Sequence, residues 1–179
     1  MVRRCVGIGE YRWGIGAVMV VSQQDLQTIT QQLGRQPRGV RAVAARCVCK
    51  RPTVVMTAPR LPDGTPFPTL FYLTHPKATS AVGTLEASGV MKDMTDRLAQ
   101  DTHVAGAYRK AHEDYLRRRE QLGQVEEIEG ISAGGMPDRV KCLHVLVAHS
   151  LAVGPGINPL GDEALELLEP LWTPLKCAC

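Results

Sequence analysis

A chain of 179 residues is about the length of one ordinary domain, which buries roughly 70% of the surface its unfolded form exposes, so a core forms without disulfide staples. The 44% hydrophobic and 22% charged shares are those of a globular protein and exclude a disordered one, while 4% aromatic content makes the core mostly aliphatic. A net charge of +3 is too small to imply a nucleic-acid or anionic-membrane partner.

Residues 1–18 carry Arg3, Arg4 and Arg12 beside an apolar run at 14–21. Glu10 and Arg12 interrupt the segment, no small-residue cleavage site follows, and the run is too short to span a bilayer. Residues 1–18 therefore read as a disordered extension or an overlong start before Met19, with 19–170 as one α+β domain and 171–179 as a C-terminal tail. With no export signal the expected compartment is the cytoplasm. There Cys5, Cys47, Cys49, Cys142, Cys177 and Cys179 stay reduced and read as ligands, reactive thiols or core filler.

Ser22 with Asp25 three residues on is a capping pair, and Leu26, Ile29 and Leu33 recur at helical spacing before Gly34. Val40–Arg46, Pro52–Thr57 and residues 69–74 read as strands of a small antiparallel sheet. Pro76 opens a helix that Gly89 breaks; Met91, Met94 and Leu98 belong to a second. Asp101 caps a third, with Val104, Ala107, Tyr108, Ala111, Tyr115 and Leu122 inward. Arg117 to Arg119 stand among opposite charges four apart (Arg109 and Glu113, Asp114 and Arg118), the pattern of a solvated face. Residues 137–152 then predict a helix apolar on all sides, hence central and buried, and Asp162 starts a short last one. The expected architecture is about three strands packed against several helices.

Cys47-X-Cys49 lies between two strands, where a tight turn points two thiolates the same way, half of a metal knuckle. His75 ends the third strand just before a proline, so its ring projects from a fixed point; capping the helix is the competing role. On the buried helix, His144 is about 200° around from Cys142, while His149 shares its face about 10 Å along the axis. Ligand bonds of roughly 2.0–2.3 Å cannot join Cys142 and His149 on one ion. The expected ligands are therefore Cys47, Cys49, His75 and Cys142, three sulfurs and one nitrogen suited to a closed zinc site, with an iron-sulfur cluster as the alternative. His144 and His149 are expected in hydrogen bonds around it or as alternative ligands, and Cys177 and Cys179 as a tail able to replace or supplement a ligand.

A competing enzymatic reading uses the loop 132–141. Gly134 and Gly135 before a helix N-terminus, with Arg139 and Lys141 in its first turns, would hold a phosphorylated or otherwise anionic small ligand, with His144 or Asp138 as acid-base candidates. The chain lacks the Walker pattern.

Three stretches, Arg38-Gly39-Val40-Arg41-Ala42-Val43, Pro59-Arg60-Leu61-Pro62-Asp63-Gly64-Thr65-Pro66-Phe67-Pro68-Thr69 and Ser132-Ala133-Gly134-Gly135-Met136-Pro137-Asp138-Arg139-Val140-Lys141-Cys142-Leu143-His144, resemble a bacterial domain-of-unknown-function family, number five-zero-one. The resemblance runs from about residue 22 to 168 and brings no established activity. It implies cysteine at the position of His75, an exchange that ligands tolerate, and glycine after Cys47-X-Cys49, where this chain has Lys50. It also implies genes beside a septum-formation initiator and an exopolyphosphatase. The expectation is a metal-stabilised binding or regulatory protein linked to cell division or envelope processes through a protein partner; the alternatives are an enzyme for an anionic substrate and an iron-sulfur or thiol-redox protein.

Overall fold

The computed structural model describes residues 21–177, so the expectations for residues 1–18 (Cys5 among them) and for Cys179 lie outside the described residues. Helix α1 (Gln23–Leu33) begins in a reciprocal cap: the Ser22 hydroxyl accepts the Asp25 N–H at 3.0 Å and itself donates to the Asp25 carboxylate at 2.8 Å. Gly34 ends it in the left-handed region at φ +66°.

Three antiparallel strands follow, β1 (Val40–Arg46), β2 (Pro52–Thr57) and β3 (Phe71–Leu73), in the order β1-β2-β3. The middle strand is the apolar one: Val54 and Val55 are buried between β1 and β3, Val54 facing Ala45 on one side and Leu73 on the other. β3 is shorter than residues 69–74 because the Leu70 N–H is drawn to the buried Tyr115 hydroxyl at 2.7 Å.

Pro76 opens α2 (Pro76–Ala87), Gly89 at φ +90° turns the chain into α3 (Val90–Gln100), and the Asp101 carboxylate accepts the His103 and Val104 amides to start α4 (Thr102–Glu120). Two expectations for α4 need correction. Leu122 is exposed rather than inward. Arg119, read as part of a solvated face, is 2% exposed and donates to the carbonyls of Pro68, Ile128 and Ile131, pinning the loops on either side. Asp114 is also buried, between Arg117, Arg118 and His149.

Helix α5 (Leu143–Val153) is central, as its all-round apolarity demands, but it starts six residues later than the predicted 137. The preceding segment is held by other bonds. Gly134 and Gly135 have positive φ, the Lys141 N–H returns to Gly134 O at 2.7 Å and the Arg139 N–H to Gly135 O at 3.1 Å, and the Met136–Pro137 peptide is cis. α6 (Pro159–Leu168) is capped by Asn158 and begins three residues before the expected Asp162 start, and it lies directly on α5 with Gly161 against the Leu146 carbonyl and the Ser150 hydroxyl. One hydrophobic cluster joins β2, β3 and all the helices from α2 onward, ending at Trp172. Together these are an α+β fold of six helices and a three-stranded antiparallel sheet among the described residues.

Candidate metal centre

The β1–β2 connection is a tight turn. The Lys50 N–H bonds Cys47 O at 2.8 Å and the Cys47 N–H bonds Arg51 O at 3.1 Å, which places Lys50 at φ +62°. Arg46 braces the turn, reaching Lys50 O at 2.9 Å and both Asp25 carboxylate oxygens of α1 at 2.7 and 2.9 Å. Cys47 is buried and Cys49, on the same turn, is exposed.

The third sulfur comes from the other end of the described chain. Val48 N–H donates to Pro174 O at 2.8 Å and the Cys49 thiol to Cys177 O at 3.1 Å, so the C-terminal segment lies along the turn. The ligand atoms of Cys47, Cys49 and Cys177 are all within 4.8 Å of one another, a spacing that can hold a metal ion. Residues 171–177, expected as a loose tail, are thus docked, with Cys177 7% exposed and Trp172 6% exposed.

His75 touches this cluster through Cys177, its Nε2 lying 3.1 Å from Sγ. It is also the N-cap of α2, where Nδ1 accepts the Ala78 N–H at a long 3.4 Å. The capping role weighed from the sequence is present, and the same ring lies beside a sulfur of the cluster. Burial, followed by the positive charges of Lys77 and Arg51, holds its imidazole below the usual histidine range and hence neutral. Trp172 covers it, with ring centroids 5.6 Å apart.

Cys142 does not join these groups. It is the residue before α5 rather than a member of a buried helical face, and its ligand atom groups with those of Glu86 and His144. His144 Nδ1 is 3.1 Å from Glu86 Oε1 and Nε2 is 3.2 Å from Thr79 O, while His149, fully buried, pairs with Asp114 at 3.2 Å and Asn158 at 3.2 Å. The late start of α5 also alters the loop proposed for anions. Arg139 and Lys141 lie before the helix, and the Leu143 amide already donates to Glu86 Oε1 at 2.7 Å, placing a carboxylate where an anion would bind. Asp138 faces solvent beside Arg109 at 3.7 Å.

One residue that matters here escaped the sequence reading, and another was ranked too low. Cys177, expected only as a tail residue able to replace or supplement a ligand, carried a signal, the second C-X-C at 177–179 echoing the first at 47–49. Glu86 carried none, being one carboxylate among many.

A family model described as "Protein of unknown function (DUF501)" matches residues 43–166. The chain belongs to this family. The matched span of DUF501 contains Cys47, Cys49, His75, Glu86, Cys142 and His144, whereas Cys177 lies beyond it. No curated protein and no solved structure matches the chain. Among the described residues, no helix is long and apolar enough to cross a membrane.

Proposed function

We propose that this DUF501 chain is a metal-stabilised binding or regulatory protein in which Cys47, Cys49 and Cys177 bind a zinc ion with His75 as the fourth ligand. The observation that carries the reading is the meeting of three sulfurs, two from one turn and one from 128 residues further along. Three thiolates and a neutral imidazole suit tetrahedral zinc with no position left open, the form of a structural site. Cys177 replaces Cys142 in the set expected from the sequence. Ligation through Nε2 moves the ring proton to Nδ1, and the capping bond given up is the long one at 3.4 Å. Zinc here fastens the C-terminal segment to the β1–β2 turn. The exposed Val48, Leu171 and Leu175 of those two segments offer apolar contacts to a protein partner. A tie to cell division or envelope processes rests on the gene neighbours that the resemblance implies, and co-purification with the septum-formation initiator is its test.

Metal analysis of the purified protein with its visible spectrum tests the reading. Near-stoichiometric zinc and a colourless protein are expected; a brown protein with iron would replace zinc by an iron-sulfur cluster, and absence of any metal after zinc supplementation defeats the site. Cys177→Ser is expected to lose the metal. His75→Ala compared with Cys179→Ser identifies the fourth ligand, since only the true one lowers zinc affinity tenfold or more.

A further inference from the structure

We infer that Glu86, Cys142 and His144 hold a second zinc ion, separate from the sulfur cluster, with one coordination position left open for water. This goes beyond a structural metal centre, because an ion with an open position is a Lewis acid that can act on a bound ligand.

The three ligand atoms, a carboxylate oxygen, a sulfur and an imidazole nitrogen, all lie within 4.8 Å of one another. On a straight helix Cys142 and His144 stand about 200° apart and could not share an ion. They meet because Cys142 is the N-cap of α5, with extended backbone at φ −156° and ψ 113° and no capping bond from its side chain. The preceding loop fixes that backbone. The Lys141 N–H returns to Gly134 O at 2.7 Å, and Gly134, at φ +73°, packs so closely that a Cβ there would stand 3.3 Å from Cys142 O and 3.1 Å from Val145 Cβ. Glu86 reaches the same point from the last turn of α2.

Each ligand is also held from behind, as the ligands of an ion are. The Leu143 N–H donates to Glu86 Oε1 at 2.7 Å, and the contact with His144 falls on the same oxygen, which leaves Oε2 to face an ion. His144 Nε2 lies 3.2 Å from the Thr79 carbonyl, which only accepts, so Nε2 carries the ring proton. The Nδ1 lone pair then faces the Glu86 carboxylate at 3.1 Å, a repulsive pair unless a cation stands between them. A proton on Nδ1 answers that one pair. Zinc answers it and takes the sulfur as well, and ligation itself removes the thiol proton.

Nitrogen, oxygen and sulfur together are a donor set that zinc accepts. Three protein ligands fill three corners of a tetrahedron, whereas the four proposed for the sulfur cluster fill it. Solvent reaches the fourth corner, because Cys142 is partly exposed and the His144 and Glu86 side chains are 29% and 22% exposed.

Zinc analysis of the full chain, after loading with zinc and gel filtration, tests this. The wild type is expected to carry two equivalents, and Cys142→Ser and His144→Ala one. Glu86→Gln is expected to weaken the affinity for that equivalent about tenfold or more. Cys177→Ser is expected to lose the other equivalent and keep this one, so failure of either centre shows separately. A zinc content that neither Cys142→Ser nor His144→Ala lowers overturns the inference and leaves His144 as a protonated partner of Glu86. Should these variants fail to fold, X-ray absorption at the zinc edge of the wild type decides, since two centres average about two sulfurs per zinc and the sulfur cluster alone about three. The open position is read on cobalt-substituted protein, whose visible bands are expected to shift with azide in the wild type and not in Cys142→Ser. Wild-type bands that azide leaves unmoved overturn the open position.

Discussion

Lys50 stands at φ +62°, in a region that costs a residue with a Cβ about 1–2 kcal/mol and glycine almost nothing. The turn between Cys47 and Cys49 and the second strand demands that conformation whatever side chain is present, which is the physical sense of the glycine that the family resemblance implies here. Lys50→Gly is therefore expected to raise stability by up to about 1 kcal/mol in urea unfolding, and Lys50→Val to lower it by about 1–2 kcal/mol. Asp114 is the opposite case, a charge that needs its surroundings. Burial pushes its carboxyl up, but the bonds from His149 and Arg118 outweigh this and hold it at about 2. A folded-state pKa below the unfolded value near 3.9 contributes stability that is complete above that value and lost as pH falls toward 2. The loss is about 2 kcal/mol over that window. Urea midpoints measured between pH 5 and pH 2 should fall in the wild type and change less in Asp114→Asn, which starts lower at neutral pH.

Between elements, α5 and α6 pack tightly where Gly161 meets Leu146. Gly161 lies against the Leu146 backbone, where a methyl group would meet the carbonyl oxygen and the Ser150 hydroxyl, and helix backbone cannot yield as a side chain can. Gly161→Ala is expected to cost about 2–3 kcal/mol, read as a drop in thermal midpoint. What the sequence makes legible at this scale follows the range of the forces. The Ser22–Asp25 pair, Pro76, Gly89 and Asp101 act within three residues, so the starts and breaks of α1 to α4 can be read from them. The start of α5 cannot. Its all-round apolar pattern has no phase, and residues 137–142 are held by distant partners, the Val140 amide on Thr95 and the Arg139 carbonyl on Tyr108. Arg119 is illegible for the same reason, because backbone carbonyls leave no mark in a sequence. The candidate site divides likewise: Cys47, Cys49 and His75 stand out through the turn and the proline beside them, Cys177 is marked only by its C-X-C pattern, and the Glu86–His144 pairing is set by tertiary packing alone.

Across the whole molecule, the sulfur cluster fixes residues 171–177 to the first hairpin. With zinc at the proposed site, chelation is expected to open that segment to limited proteolysis, with cleavage near residues 170–176 and protection regained on adding zinc. Cys177→Ser should show the same cleavage without chelator, and Cys142→Ser should not.

The 128-residue separation of Cys49 and Cys177 sets an order of events. In a zinc finger the ligands are near neighbours and the ion can organise the chain, but closing a loop this long in an unfolded chain carries a large entropic cost. At the proposed zinc site the sheet and the central helix would therefore assemble first, and the ion would close as a latch on a finished body. Kinetically, refolding should proceed at the same speed with or without zinc, while unfolding should slow in its presence.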